Sequence, residues 1–278
     1  MLLHSKIIGQ GDNILVILHG LFGSGDNWKT FANKLAIKGY CIHLVDQRNH
    51  GRSFHHNEFN YDLLVSDLKY YLDHYKINNC ILLGHSMGGK TAMSFSLKYP
   101  ENVTDLIVVD IAPKKYSIHH DTIVDALNSL DLDLITTRKD VDKKLSNFID
   151  DDILRNFLLK NLYWIKKDKL AFRFNLESLT KNLSNVGDEI KNNLKFVKNT
   201  IFLRGEFSIY IEEIDELLIS KIFPNSSVIT VPNSNHWLHI DNPQAFFDIV
   251  TDFIKYKYYR LTLPPFKKAV FSQTNFLV

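Results

Sequence analysis

Cysteine is almost missing from this chain: Cys41 and Cys80 are the only two in 278 residues, each inside an apolar run, YCIHLV and CILLG. Two such thiols make no disulfide framework and are expected as buried free cysteines in a reducing compartment. Long apolar runs are missing too. No stretch approaches the ~18 residues that a membrane-spanning helix needs. The start, MLLHSKIIGQGDN, lacks the cationic head and long apolar stretch of a secretory leader. A cytoplasmic location with no membrane span is the expectation. A surplus of one charge is also absent, since 33 Lys and Arg face 31 Asp and Glu for a net +2. That balance argues against nucleic acid or an anionic membrane as partner. Lys191, Lys195 and Lys198 are spread among Asn and apolar residues, as on a solvated face. There is no Pro/Gly-rich linker, low-complexity segment or internal repeat. The 12 histidines include the adjacent pairs His55-His56 and His119-His120, but no metal-ligand spacing such as H-E-x-x-H.

What is present, at 45% hydrophobic residues, suffices for one sizeable core. Short β-branched runs recur: ILVILHG (14–20), CIHLVD (41–46), CILLGHS (80–86), LIVVD (106–110), TIFLRG (200–205) and SVITVP (227–232). Without polar alternation, they suit strands of a parallel sheet covered on both faces. Stretches 27–38, 61–75, 88–99 and 243–257 are long enough for crossover helices, so a doubly wound α/β sheet is expected. Between Ile111 and Asn199 the rhythm breaks. HDTIVDALNSL, DVDKKLSNFI, DILRNFLLKNLYWI and LESLTKNLSNV have helical spacing, which predicts an all-helical insertion over the sheet's carboxyl edge. The expected division is a core of 1–112 and 200–258, a cap of 113–199, and an arm of 259–278 outside the pattern.

After CILL comes Gly84-His85-Ser86-Met87-Gly88, a G-x-S-x-G pattern leading into a helix. A nucleophilic serine needs such a tight strand-to-helix turn, with small residues two before and two after. The helix N-terminus and the Met87 N–H then favour negative charge on an attacked carbonyl oxygen. The same residues satisfy a second pattern. Gly84-x-x-x-x-Gly89-Lys90-Thr91 is a phosphate-binding P-loop match, and LIVVD ends in an acid as a magnesium-binding segment would. The rest of the chain favours the serine. Upstream, His19-Gly20-Leu21-Phe22-Gly23-Ser24 supplies a second oxyanion-hole N–H, from Leu21, and a nucleotide site has no use for that loop. Downstream, His236 follows the last strand, where such a chain carries its general base.

His239, three residues on, is the competing base. The acid is less plain. A hydrolase of this layout usually carries it as Gly-x-x-Asp after the strand preceding the His-bearing one, but here that stretch is Gly205-Glu206-Phe207-Ser208. Asp110, ending LIVVD one strand earlier, is the favoured carboxylate, with Glu206 as the alternative. Asp110 would otherwise serve only to cap a helix or loop.

HGLFGS (19–24), DQRNHGRS (46–53), GHSMGGK (84–90), VVDIAP (108–113), FRFN (172–175) and HWLH (236–239) together closely resemble the YbfF-type esterases of the α/β-hydrolase superfamily. The resemblance runs from about residue 3 to residue 257. It implies a mostly parallel eight-stranded sheet with helices on both faces and a helical cap. It also implies an esterase or thioesterase acting on short acyl esters or acyl-CoA, with no metal and no organic cofactor. Lys90 belongs to that branch's elbow, and its triad acid in the VVDIAP segment supports Asp110.

The expected machinery is therefore a catalytic triad of Ser86, His236 and Asp110, with the N–H groups of Leu21 and Met87 as oxyanion hole. Phe22, Trp164, Phe172, Phe174 and Trp237 are candidates for an apolar acyl pocket, though each alone also suits an ordinary core. Lys114, Lys115 and Arg173 are candidates for meeting a CoA phosphate, or for a solvated cap face. Two other classes remain: a catalytically silent binder of a small ligand, and a P-loop NTPase that would depend on Lys90.

Overall fold

The structure is a computed structural model that describes residues 1–260 apart from 118–120, 136, 168 and 191–192. Strand and helix alternate from the start. β1 (Ser5–Ile8) and β2 (Asn13–Leu18) lead to α1 (Lys29–Ala36), β3 (Tyr40–Val45), α2 (Tyr61–His74), β4 (Cys80–His85), α3 (Met87–Lys98) and β5 (Val103–Val109). Then come α4 (Asp121–Asn128), α5 (Arg138–Leu145), α6 (Asp152–Leu159), β6 (Leu162–Lys166), β7 (Lys169–Phe172), α7 (Leu176–Lys181) and α8 (Leu183–Val186). β8 (Asn199–Gly205), α9 (Asp215–Ile222), β9 (Ser226–Val231), α10 (Leu238–Asp241) and α11 (Pro243–Arg260) follow.

The main sheet has the order β1-β3-β2-β4-β5-β8-β9. The six apolar runs form its six parallel strands, and β1 joins the edge antiparallel, with Ser5 opposite Val45. Parallel pairing explains the missing polar alternation, because helices cover both faces. On one face Val16, Leu18, Leu82, Leu106, Val108 and Phe202 pack with Leu68, Tyr71, Phe95 and Ile219 of α2, α3 and α9. On the other, Leu15, Ile17, Ile42, Leu83, Ile107 and Leu203 pack with Phe31, Leu35, Phe246 and Val250 of α1 and α11. Seven strands, not eight, form this sheet among the described residues, since only four-residue β1 precedes β2.

Between β5 and β8 the helices turn their apolar sides onto the carboxyl edge of the sheet. Val124, Leu127, Val141, Leu145 and Leu158 share one cluster with Leu21, Phe22, Phe59, Leu64 and Met87. Helical spacing is not the whole story here. Where it predicted helix through LYWI, α6 stops at Leu159, and β6 pairs antiparallel with β7, Trp164 opposite Leu170. The aromatic and β-branched YWI segment suits an exposed hairpin, in which Leu162 and Leu170 are buried while Trp164 and Ile165 face solvent. Residues 261–278 of the expected arm lie outside the described residues, as do His119 and His120.

Candidate active site

Ser86 sits between β4 and α3 with φ 53° and ψ −119°, a backbone conformation that a non-glycine residue adopts only under constraint. The constraint is the close approach of the flanking chain. A Cβ on Gly84 would lie 2.1 Å from the Gly88 carbonyl oxygen, and one on Gly88 would lie 2.3 Å from that of Leu18. Only glycine lets the turn close, so the spacing seen in the sequence is a steric requirement. Half-buried, Ser86 lines a cavity of about 410 Å³.

The loop after β9 carries His236, whose Nδ1 is 2.8 Å from Oδ2 of Asp110. A carboxylate oxygen accepts, so Nδ1 is the donor in this bond, and in the neutral imidazole that tautomer leaves Nε2 as the acceptor. Asp110 is fully buried at the end of β5, also with positive φ (49°). Its Oδ1 accepts from the Gly205 N–H at 3.0 Å, and its Oδ2 accepts a second bond from Ser208 Oγ at 2.5 Å. Ser208 is the residue standing where the usual acid would be. The Tyr210 ring stacks on the His236 ring, with centroids 4.0 Å apart and planes 21° apart. Glu206 is turned away, exposed and accepting from the Asn233 N–H at 2.7 Å. His239 is stacked on Trp28 at 3.9 Å with both ring nitrogens buried and unpartnered, and burial pulls it down to about 3. Its ring packs against Trp28 and Phe246.

His85 is a site residue that the motif reading passed over as the variable position of G-x-S-x-G. Its Nε2 donates to the main-chain carbonyl of His236 at 2.8 Å, and the two rings are 4.7 Å apart. Its Nδ1 faces the other loop, where a Cβ on Gly20 would meet it at 3.0 Å. Burial first, then His236 and His239 beside it, hold His85 well below the usual histidine range, so it is the neutral donor this geometry needs. One imidazole thus spaces the loop of Gly20 and Leu21 against the loop of His236.

The DQRNHGRS segment braces the loop of residues 19–25. Gln47 N–H donates to His19 Nε2 at 3.0 Å, Phe22 N–H to His50 Nε2 at 3.1 Å, and Gly25 N–H to Asp46 Oδ1 at 2.7 Å. The Phe22 N–H is thus engaged, and the Gly23 N–H is bonded to Gly20 O at 3.0 Å. Leu21 and Met87 are buried in one cluster with residues of the inserted helices. Asn49, through its carbonyl and its side chain, binds Asn175 N–H at 2.9 Å and Ser178 Oγ at 3.0 Å, which ties FRFN to the same loop.

The cavity walls differ from the aromatic set expected. Tyr61, Met87, Ile111, Leu183, Val186, Ile209 and Tyr210 supply the apolar surface, with Lys114, Lys115 and Tyr116 along one side. Phe22 and Phe174 are buried against each other at 5.1 Å, and Phe174 stacks on Phe172 at 4.7 Å, within the core. Trp164 is on the exposed hairpin, and Trp237 lines an adjoining groove with His236, Phe207, Ile209 and Tyr210. Aromatic type marked these positions as apolar, but the direction each side chain takes is a tertiary property. Lys114 is held by Asp215 (2.7 Å) and Glu212 (3.2 Å), and Arg173 lies 4.4 Å from the Tyr163 ring centroid.

The phosphate-loop pattern has no site. Lys90 is buried with its Nζ bonded to the carbonyls of Gly187 and Asp188, and Asp110 is engaged by His236. Among the described residues no group of three His, Cys, Asp or Glu is placed to hold a metal ion, and no helix is long and apolar enough to cross a membrane.

Residues 13–195 match a family model described as the alpha/beta hydrolase fold. The chain belongs to the α/β-hydrolase family. Mouse "sn-1-specific diacylglycerol lipase ABHD11" is 35% identical over 86% of this chain and 80% of its own. The Escherichia coli "Esterase YbfF" is 30% identical over 83% and 89%. A solved structure titled "Marine microorganism esterase" superposes with TM-score 0.89 at 38% identity, covering 91% of this chain and 99% of its own. In this α/β-hydrolase the carboxylate that meets the imidazole comes from β5, with a serine filling the later position.

Proposed function

We propose that this protein is a serine hydrolase of short-to-medium acyl esters, working through an acyl-enzyme on Ser86. The observation that carries the reading is the 2.8 Å bond from His236 Nδ1 to the buried Asp110 carboxylate, made beside the cavity that Ser86 lines. The names of the relatives, esterase and diacylglycerol lipase, support an ester as substrate.

In this mechanism Ser86 Oγ attacks the acyl carbonyl carbon and its proton passes to His236 Nε2, while Asp110 keeps the imidazole in the required tautomer. The carbonyl oxygen becomes an oxyanion held by the N–H groups of Leu21 and Met87, each such donor lowering the barrier by roughly 3 kcal/mol. Collapse breaks the bond to the leaving group, which departs with the His236 proton as an alcohol. Water, deprotonated by the same Nε2, then attacks the acyl-enzyme, and the free acid leaves as Ser86 recovers its proton. Acyl-CoA thioesters are the second substrate class, favoured by the exposed Lys115 at the cavity as a partner for a phosphate-bearing leaving group. A silent binder of a small ligand would have no use for the strained elbow and the oriented imidazole together.

The test is covalent labelling with a fluorophosphonate probe. Labelling of wild type that is lost in Ser86→Ala and falls steeply in Asp110→Asn is expected. Folded wild type that takes no label would instead favour the silent binder. Rates on p-nitrophenyl esters against acyl-CoA then rank the two substrate classes.

A further inference from the structure

A lysine is rarely buried without a carboxylate against its ammonium. Lys90, one helical turn beyond Ser86 on α3, is 1% exposed, and its Nζ donates to two main-chain carbonyls, Gly187 O at 3.1 Å and Asp188 O. The Tyr116 and Tyr61 ring centroids lie 4.8 and 5.9 Å from it. Burial draws this ammonium down to about 8, opposed by the nearby carboxylates of Asp188 and Glu189.

The surroundings form a single knot. Tyr116 N–H also donates to Gly187 O at 2.8 Å, Tyr61 OH to Val186 O at 2.8 Å, and Ile190 N–H to Pro113 O at 3.0 Å. The Tyr116 hydroxyl accepts from Ala112 N–H at 2.8 Å and donates to Tyr210 O at 2.5 Å. The chain leaving β5 and the chain returning towards β8 therefore meet around Nζ. Tyr61, Tyr116, Val186 and Gly187 are all cavity wall, and Lys90 stands behind them. At ~1.5 Å rise per residue, its Cα is only ~6 Å along the helix from Ser86, close enough for the wall to limit a group bonded there.

We propose that Lys90 determines acyl-chain specificity: by binding the Gly187 and Asp188 carbonyls and the faces of Tyr61 and Tyr116, it holds the wall that limits the acyl group. This rests on the acyl-ester reading above. Removing the ammonium takes its hydrogen bond from the Asp188 carbonyl and leaves Gly187 O with the Tyr116 N–H alone, and the wall gives way to a longer chain. Lys90→Met keeps the stem and loses the head. Lys90→Arg keeps the charge on a longer head that presses the wall inward.

The experiment compares kcat/KM for p-nitrophenyl decanoate and butyrate in full-length wild type and both variants. The decanoate-to-butyrate ratio is expected to rise roughly tenfold in Lys90→Met, the scale on which apolar pockets discriminate chain length, and to fall in Lys90→Arg, with both changes in KM. A purely structural role would depress both substrates alike. A folded Lys90→Met with an unchanged or lowered ratio overturns the proposal; if that variant does not fold, an unchanged ratio in Lys90→Arg does so. If wild type cleaves no ester, the acyl-ester reading fails separately. Calorimetric binding of decanoate against butyrate, measured on Ser86→Ala with and without Lys90→Met, then decides the wall by the same ratio.

Discussion

Ser208 Oγ donates to Oδ2 of Asp110 at 2.5 Å, the same oxygen that His236 Nδ1 meets at 2.8 Å. The position that usually supplies the acid thus supplies a hydrogen bond to an acid brought from the neighbouring strand. Two strand ends, β5 and β8, converge on one imidazole because they are adjacent in the sheet.

That convergence makes the acid movable. Asp110→Asn is expected to lower kcat by about 10³–10⁴, because the amide no longer stabilises the imidazolium or enforces its tautomer. Adding Ser208→Asp to that variant is expected to restore part of the loss, since a carboxylate at 208 lands where the imidazole proton points. Ester hydrolysis by the single and double variants checks this. A double variant no faster than Asp110→Asn would mean that residue 208 does not reach the imidazole.

His85 spaces the two loops on either side of Ser86, so His85→Asn is expected to act on kcat more than on KM. A displacement near 1 Å at the base costs on the order of 10²-fold. Steady-state kinetics on a short ester, with circular dichroism to verify folding, separates the two parameters. A large rise in KM with kcat intact would place His85 in binding instead.

Acid should destabilise the fold through its neutral histidines. Burial lowers His239 to about 3 and His43 to about 4, and it also lowers His85. Each stays neutral when folded but takes a proton at about 6.5 when unfolded. The unfolded state therefore binds more protons below that pH, and stability that is complete above about 6.5 is lost as pH falls towards the folded values. His239→Phe keeps the ring against Trp28 and removes one titrating group with two unpartnered nitrogens. The melting temperature of this variant is expected to fall less than that of wild type between pH 7 and pH 5. Parallel curves for the two proteins would refute the assignment.

Arg48 and Asp67 form a bidentate pair at 2.5 and 2.9 Å, both nearly buried. Arg48→Met leaves the Asp67 carboxylate without its cation, which costs about 3–5 kcal/mol. Urea unfolding is expected to show that loss, with most of it recovered in the double variant Arg48→Met, Asp67→Leu. If the double variant is no more stable than the single, the pair matters by its shape and not its charge.

Local chemistry made much of this protein legible from its residues. Five of the six parallel strands follow from β-branched runs too apolar for a half-exposed sheet, β9 at the edge being partly exposed, and the Ser86 elbow follows from glycines whose replacement would collide with backbone. Position after the last strand likewise pointed to His236 over His239. What the tertiary structure alone decided are the matters of direction and long-range contact. Asp110 and Glu206 are both carboxylates near strand ends, and only folding turns one to an imidazole 126 residues away and the other to Asn233. Aromatic type at Phe22, Phe174 and Trp164 carried no information about which way each ring faces, and two of them went to core and one to solvent. The YWI segment, apolar enough for helix, became a hairpin because it found a partner in β7. Lys90, in the pattern of a phosphate ligand, was claimed by carbonyls of a chain segment nearly a hundred residues later. Periodicity and steric exclusion act within a few residues, so the sequence displays them; partner choice depends on segments that meet only when the sheet closes.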